Sequence, residues 1–295
     1  MISLHEKVIY DCIKGRRSVR VYKKCKINES TLLKLIEAAC YAPAGGNQAT
    51  WEVIVIFDDS LKDKITKISL NQEFIKEASV VLVFIGGRVV EVAMAIQNLL
   101  LMAHALGLEG CCIGAFDRSA LAEILNIPKN IPIHYIVTIG KPDEPLTDPA
   151  KKFPEEVIHY EIYGNLKVDR GLLIKVLTQA KEKLKEFREI RDRMIKEYGP
   201  NSYQILRLEE KYAAFVFRPL LKRIIRLLKL LRLDEPLCRR IEDVVNEYER
   251  SRSYLLAKTK NINSKEVIAL ERKYSTIIFP QVISEIIHKF QLDGQ

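Results

Sequence analysis

The most apolar stretch of the chain, residues 93–108 (AMAIQNLLLMAHALGL), is hydrophobic on nearly every side of a helix and reads as the buried axle of a core. At about 1.5 Å per residue it runs about 24 Å, and it contains Gln97, Asn98 and His104, so it is too short and too polar to span a bilayer. Glu109-Gly110 reads as a helix stop. The run from Cys111 to Gly114 reads as a strand, and its closing glycine lets a flat ligand approach the backbone. Helical spacing predicts further helices over residues 4–13, ended by Gly15, and over 31–41, started by Ser30, with shorter ones over 62–69 and 71–78. Continuous apolar runs predict buried strands at 51–58, 79–87 and 133–140. Residues 142–154 are Pro-rich and polar and read as an extended arm.

After about residue 166 strand-like runs almost vanish. Helices are predicted over 171–198, 203–233, 237–258 and 265–290. Between them fall Gly199-Pro200-Asn201, Asp234-Glu235-Pro236 and Asn261-Ile262-Asn263, with Ser202 and Ser264 as N-caps. Such short connections favour antiparallel neighbours, hence a four-helix arrangement. An internal repeat agrees with this: at an offset of 62, Leu208-Glu209-Glu210-Lys211-Tyr212 lies over Leu270-Glu271-Arg272-Lys273-Tyr274, and Phe217 over Phe279, as if one helical hairpin were used twice. The expected division is therefore a domain over residues 1–165 and a basic helical domain over 166–295.

Charge sharpens that division. Residues 1–165 carry 19 Lys and Arg against 20 Asp and Glu, a net of −1, and residues 166–295 carry 28 against 18, a net of +10 within the overall +9. A basic helical half suits a solvated face, and it also suits nucleic acid or an anionic membrane. The pattern of residues 218–232, RPLLKRIIRLLKLLR, is basic and amphipathic. The six cysteines show no metal-finger spacing and the first residues do not resemble a signal peptide, so the expectation is a cytoplasmic, soluble protein with free thiols. Glu285-x-x-His288 has the spacing of a di-iron bundle but lacks the second pair such sites use, so no metal site is expected.

Two stretches of the first part carry candidate chemistry. Arg16-Arg17-Ser18-Val19-Arg20 offers planar guanidinium donors suited to a phosphate or another anion. Ala42-Pro43-Ala44-Gly45-Gly46-Asn47 is a turn in which two glycines leave room for a ring beside the backbone.

In order and spacing, RRSVR, APAGGNQATW, Asn71 ahead of an apolar strand, AIQNLLLMAHALGLEGCCIGAF, IVTIGKPDEP and KKFPEEVIHYEIYG resemble the FMN-dependent nitroreductase family over about residues 5–165. The resemblance implies an α+β fold with a mainly antiparallel sheet flanked by helices, joined here to an all-α region. It implies that Arg16, Arg17, Ser18 and Arg20 serve the flavin phosphate and ribityl chain, and that Pro43, Ala44, Gly45 and Asn47 cover the ring from the other subunit. Asn71 would meet the pyrimidine edge, the backbone N–H groups of Gly114 and Ala115 the flavin N5, and Lys151 or Lys152 would complete the phosphate site. Ala44, Ala49-Thr50, Glu91 and Phe74 depart from the family's usual residues, which leaves the substrate open.

The function so implied is a homodimeric oxidoreductase that passes hydride from NADH or NADPH through FMN to a small electron-poor acceptor such as a nitro compound or quinone. No side chain need act as catalyst, because the flavin carries the chemistry. His104 reads as a satisfied core histidine. Two alternatives stand beside this: a flavin-bearing dimeric platform or redox sensor whose basic half binds a partner, and the same family with reductive dehalogenation or flavin-remodelling chemistry.

Overall fold

A computed structural model describes residues 3–291, and the chain divides into two compact units, Met1–Thr147 and Asp148–Gln295. The boundary falls ahead of the expected change near residue 165. Ala150 and Phe153 pack into the core of the second unit, and Glu156 is paired there with buried Arg223. All six cysteines are free. No helix among the described residues is long and apolar enough to cross a membrane.

In the first unit the elements run α1 (Leu4–Gly15), β1 (Tyr22–Lys23), α2 (Glu29–Cys40), β2 (Trp51–Ile56), α3 (Asp59–Ile68), α4 (Phe74–Glu77), β3 (Val80–Gly86), α5 (Val89–Ala105), β4 (Glu109–Ile113), α6 (Arg118–Leu125) and β5 (Ile133–Pro142). The sheet is antiparallel, with β5 between β3 on one side and β4 and β1 as further partners, and with β2 outside β3. β3 explains why its sequence is apolar without interruption. Val81, Val83 and Ile85 enter the core on one face, with Ile65, Phe74 and Leu121 from α3, α4 and α6. Val80, Leu82 and Phe84 enter the core on the other face, with Leu35 of α2 and Val92, Ala95, Leu99 and Ala103 of α5.

Local chemistry sets the element ends, and three expectations shift. The cap of α2 is Asn28, whose side chain accepts from Thr31 N–H at 2.8 Å, rather than Ser30. α5 ends one turn early because Gly107 takes the left-handed conformation (φ 72), so Glu109-Gly110 opens β4 instead of stopping the helix. The helix expected over 71–78 shrinks to four residues because Leu70 and Asn71 are both left-handed, with φ of 57 and 54.

The second unit is helical: α7 (Arg170–Tyr198), α8 (Tyr203–Glu210), α9 (Arg218–Leu230), α10 (Glu235–Thr259), α11 (Lys265–Lys273) and α12 (Phe279–Gln291). The single helices expected over 203–233 and 265–290 are each interrupted by a π-helical turn, Lys211–Phe217 and Tyr274–Ile278. Pro219 and Pro280 account for both. A proline has no N–H for the carbonyl four residues back, here Phe215 and Thr276, and its ring crowds that carbonyl, so the helix widens. Ser202 and Ser264 cap α8 and α11 as the sequence predicts.

Candidate functional site

The segment after α1 is extended, starting at Arg16 with φ −53 and ψ 132, so its side chains alternate. Val19 and Val21 point into the core, 1% and 4% exposed, which leaves Arg16, Ser18 and Arg20 together on the opposite side. Arg17 shares the inward side and spends its guanidinium on the main chain. Nε donates to Thr147 O at 2.7 Å, and Nη1 donates to the carbonyls of Lys14, Gly15 (2.9 Å) and Arg16 (3.0 Å). It is thereby a clamp on the end of α1. Among the described residues no hydrogen bond or ion pair reaches the Arg16 guanidinium.

The segment is held along its backbone. Arg17 N–H donates to Glu109 Oε2 at 3.0 Å, Val19 N–H to Gly110 O at 3.3 Å and Arg20 N–H to Glu144 Oε1 at 2.5 Å, while Ser18 and Gly110 form a parallel bridge. It therefore lies along the start of β4. Gly114 and Ala115, both exposed, follow the other end of the same strand, five residues or about 16 Å from Gly110. The turn bearing Asn71 comes to that end: Gln72 Nε2 donates to Ala115 O at 3.4 Å, and Asp117 N–H to Ile68 O at 3.0 Å. One strand edge thus joins the cationic segment to the Asn71 turn and to Gly114 and Ala115.

Pro43, Ala44, Gly45 and Asn47 lie elsewhere. Gly45 N–H donates to Glu91 Oε1 at 3.0 Å, and Arg88 pairs with the same carboxylate. These two donors, Arg88 first, hold the Glu91 carboxyl below the usual carboxylate range. A Cβ at residue 45 would fall 2.1 Å from Arg88 Nη2, the far end of a side chain that is 69% exposed and free to move aside. Gly46 and Asn47 are left-handed (φ 62 and 56), and Pro43, Ala44, Gly45, Arg88, Val90, Glu91 and Met94 line a pocket of about 380 Å³. Arg88 and Glu91 follow Gly86, the last residue of β3. Gly110, by contrast, is level through Ile139 with Val80, the first residue of β3. Six strand residues, about 20 Å, separate the two levels.

Lys151 and Lys152 are exposed and belong to the second unit. That unit has a charged centre of its own. Glu209 accepts from Arg191 Nε at 3.0 Å and Arg272 Nε at 2.9 Å, and Glu271 from Arg252 Nε at 2.6 Å and Tyr248 Oη at 2.6 Å. Matching ring triads, Phe187–Tyr212–Phe217 and Tyr248–Tyr274–Phe279, contain the repeat pairs Tyr212 with Tyr274 and Phe217 with Phe279, while Phe187 and Tyr248 correspond with a shift of one residue. The apolar face of α9 is used within this unit: Leu220, Leu221, Ile224, Ile225, Leu227 and Leu228 are buried, Arg223 is bound to Glu156, and Arg218 and Lys222 pair with Glu249. Glu285 is exposed and pairs with Arg240.

The carboxylates that anchor both candidate segments, Glu109, Glu144 and Glu91, are not among the site residues expected from sequence. For Glu109 there was a signal: it is the lone acid in the apolar run from Leu99 to Phe116, and such an acid needs a buried partner.

The family model described as "Nitroreductase family" matches residues 13–89 and 82–141. An Archaeoglobus fulgidus protein whose name pairs NADH dehydrogenase with NAD(P)H nitroreductase is 29% identical over 170 residues, 51% of this chain and 98% of its own. An iodotyrosine deiodinase of Thermotoga neapolitana is 25% identical over 189 residues, 53% of this chain and 100% of its own. The solved NADPH:FMN oxidoreductase of Vibrio harveyi shares the fold, with a TM-score of 0.51 at 19% identity over 59% of this chain and 85% of that one. The antiparallel sheet between two helical layers and the match over residues 13–141 make the first unit a nitroreductase-family domain, with a helical region following in sequence.

Proposed function

We propose that this protein is an FMN-dependent oxidoreductase that takes hydride from NADH or NADPH and reduces a small electron-poor acceptor, a nitro compound or a quinone. The observation that carries the reading is the strand edge with a cationic, hydroxyl-bearing segment at one end and bare backbone at the other, about 16 Å apart. That spacing suits an elongated ligand with an anionic tail and a flat head. Arg16, Ser18 and Arg20 would receive the phosphate and ribityl chain, with the unpaired Arg16 guanidinium supplying bidentate donors. Gly114 and Ala115 would present backbone N–H groups to the ring, and Asn71 a side-chain amide to its edge. Bound FMN would supply the redox chemistry itself.

We take Pro43, Ala44, Gly45 and Asn47 to cover the ring from a second copy, as the resemblance to the family implies. Helix α1 supports the homodimer. It buries no side chain, and it exposes Leu4, Val8, Ile9 and Ile13 at 75%, 60%, 61% and 52%, apolar side chains that a second copy would cover.

The test is optical. Purified full-length protein is expected to be yellow or to take up FMN, to bleach with NADH or NADPH without oxygen, and to recover its colour on adding a quinone or nitroaromatic. Protein that stays colourless with excess FMN overturns the reading. The Thermotoga relative named iodotyrosine deiodinase supports reductive dehalogenation as a second reading; iodide released from an iodophenol by the reduced protein would favour it over quinone reduction.

A further inference from the structure

We infer that Glu109 is a positioning residue for phosphate recognition, fixing the register that turns Arg16, Ser18 and Arg20 toward the ligand, with His104 as its second anchor. The inference rests on the reading that this segment receives the FMN phosphate.

A carboxylate at the root of an anion-binding segment opposes the anion electrostatically, so its presence calls for a positional reason. Glu109 is 1% exposed, and both of its oxygens are used. Oε2 accepts the Arg17 N–H at 3.0 Å, and Oε1 accepts from His104 Nδ1 at 2.6 Å. The imidazole lies beside Gly15, where an added Cβ would fall 2.3 Å from its Nε2. Further along, Arg20 N–H is held by Glu144. The two carboxylates therefore pin residues 17 and 20 by their peptide N–H groups while the bridge from Ser18 to Gly110 sets the register between them. In an extended segment a slip of one residue exchanges the two faces. Arg17 and Val19 would then turn outward, and the two arginines and the serine would turn into the core. Glu109 opposes that slip at its first residue.

A role confined to folding would weaken every ligand alike, whereas positioning of the phosphate donors would weaken FMN and spare riboflavin, which lacks the phosphate. The experiment measures dissociation constants of both flavins for full-length wild type, Glu109→Ala, Glu109→Gln and His104→Ala by flavin fluorescence. Wild type is expected to prefer FMN. Glu109→Ala should lose about tenfold in FMN affinity, the scale of one hydrogen bond to a charged group, with riboflavin affinity unchanged. Glu109→Gln keeps an acceptor for the Arg17 N–H and should recover most of the loss, and His104→Ala should fall between. Equal loss for both flavins, or no loss for either, overturns the positioning role. If Glu109→Ala does not fold, the same comparison on Glu109→Gln and His104→Ala decides. A wild type that binds riboflavin as tightly as FMN overturns the phosphate assignment itself, and Arg16→Ala with Ser18→Ala, equally without effect on FMN, would identify that as the failure.

Discussion

His104 occupies the space that a side chain at Gly15 would need: a Cβ built on residue 15 falls 2.3 Å from Nε2 of the imidazole. Gly15 is the last residue of α1 and has no positive φ, so its glycine character answers to this contact and not to a left-handed helix end. Gly15→Ala is therefore expected to push the ring off Glu109 and to cost about 1–3 kcal/mol, read as a lower urea midpoint. The same substitution in a His104→Ala background should cost much less. An unchanged midpoint in the single variant would mean that the ring moves aside freely.

Glu209 is 0% exposed between Arg191 and Arg272. Removing it leaves two guanidinium groups partly buried without their partner. Glu209→Ala should lower stability by about 3–5 kcal/mol, measured as loss of helical circular dichroism in urea. A change under about 1 kcal/mol would show that water already reaches this centre.

Burial, reinforced by the neighbouring charge of Glu210, pushes Glu271 up to about 7 even though Arg252 pulls the other way. The folded state then holds this proton more tightly than the unfolded chain, whose glutamates titrate near about 4.3. The stabilisation from this group is complete below the unfolded value and is withdrawn as the pH rises through about 7. The wild type should accordingly lose stability between pH 5 and pH 8 by an amount on the order of 3 kcal/mol that Glu271→Gln does not lose. Parallel pH profiles for the two proteins would contradict this.

If α1 meets a second copy, a charge among its exposed apolar side chains should separate the pair. Ile9→Asp changes a side chain that is 61% exposed in the single chain, so the fold should survive while sedimentation shifts from a dimer to a monomer. A dimer that persists in this variant would move the interface elsewhere.

Period and composition made much of this molecule legible. The uninterrupted apolar run around β3 marked a strand buried on both faces, and the offset of 62 put Tyr212 over Tyr274 and Phe217 over Phe279, which form matching ring pairs. What escaped was set by partners far away in sequence. Arg17 read as one more anion ligand because nothing local shows Thr147 O waiting for it, and Glu109 read as punctuation because its partner N–H lies 92 residues earlier. The two widened turns escaped as well, although Pro219 and Pro280 were in plain view; in a strongly amphipathic pattern the apolar spacing continues through a wide turn almost unchanged.

The separation of the Arg16–Arg20 segment from the Pro43–Asn47 turn by the length of β3 bears on heredity as much as on chemistry. If each cleft borrows one half from each copy, two defective alleles, one broken in each stretch, would complement when expressed together. A mixed pair would own one cleft built wholly from sound halves beside one built from two damaged ones, and activity would return where neither parent has any.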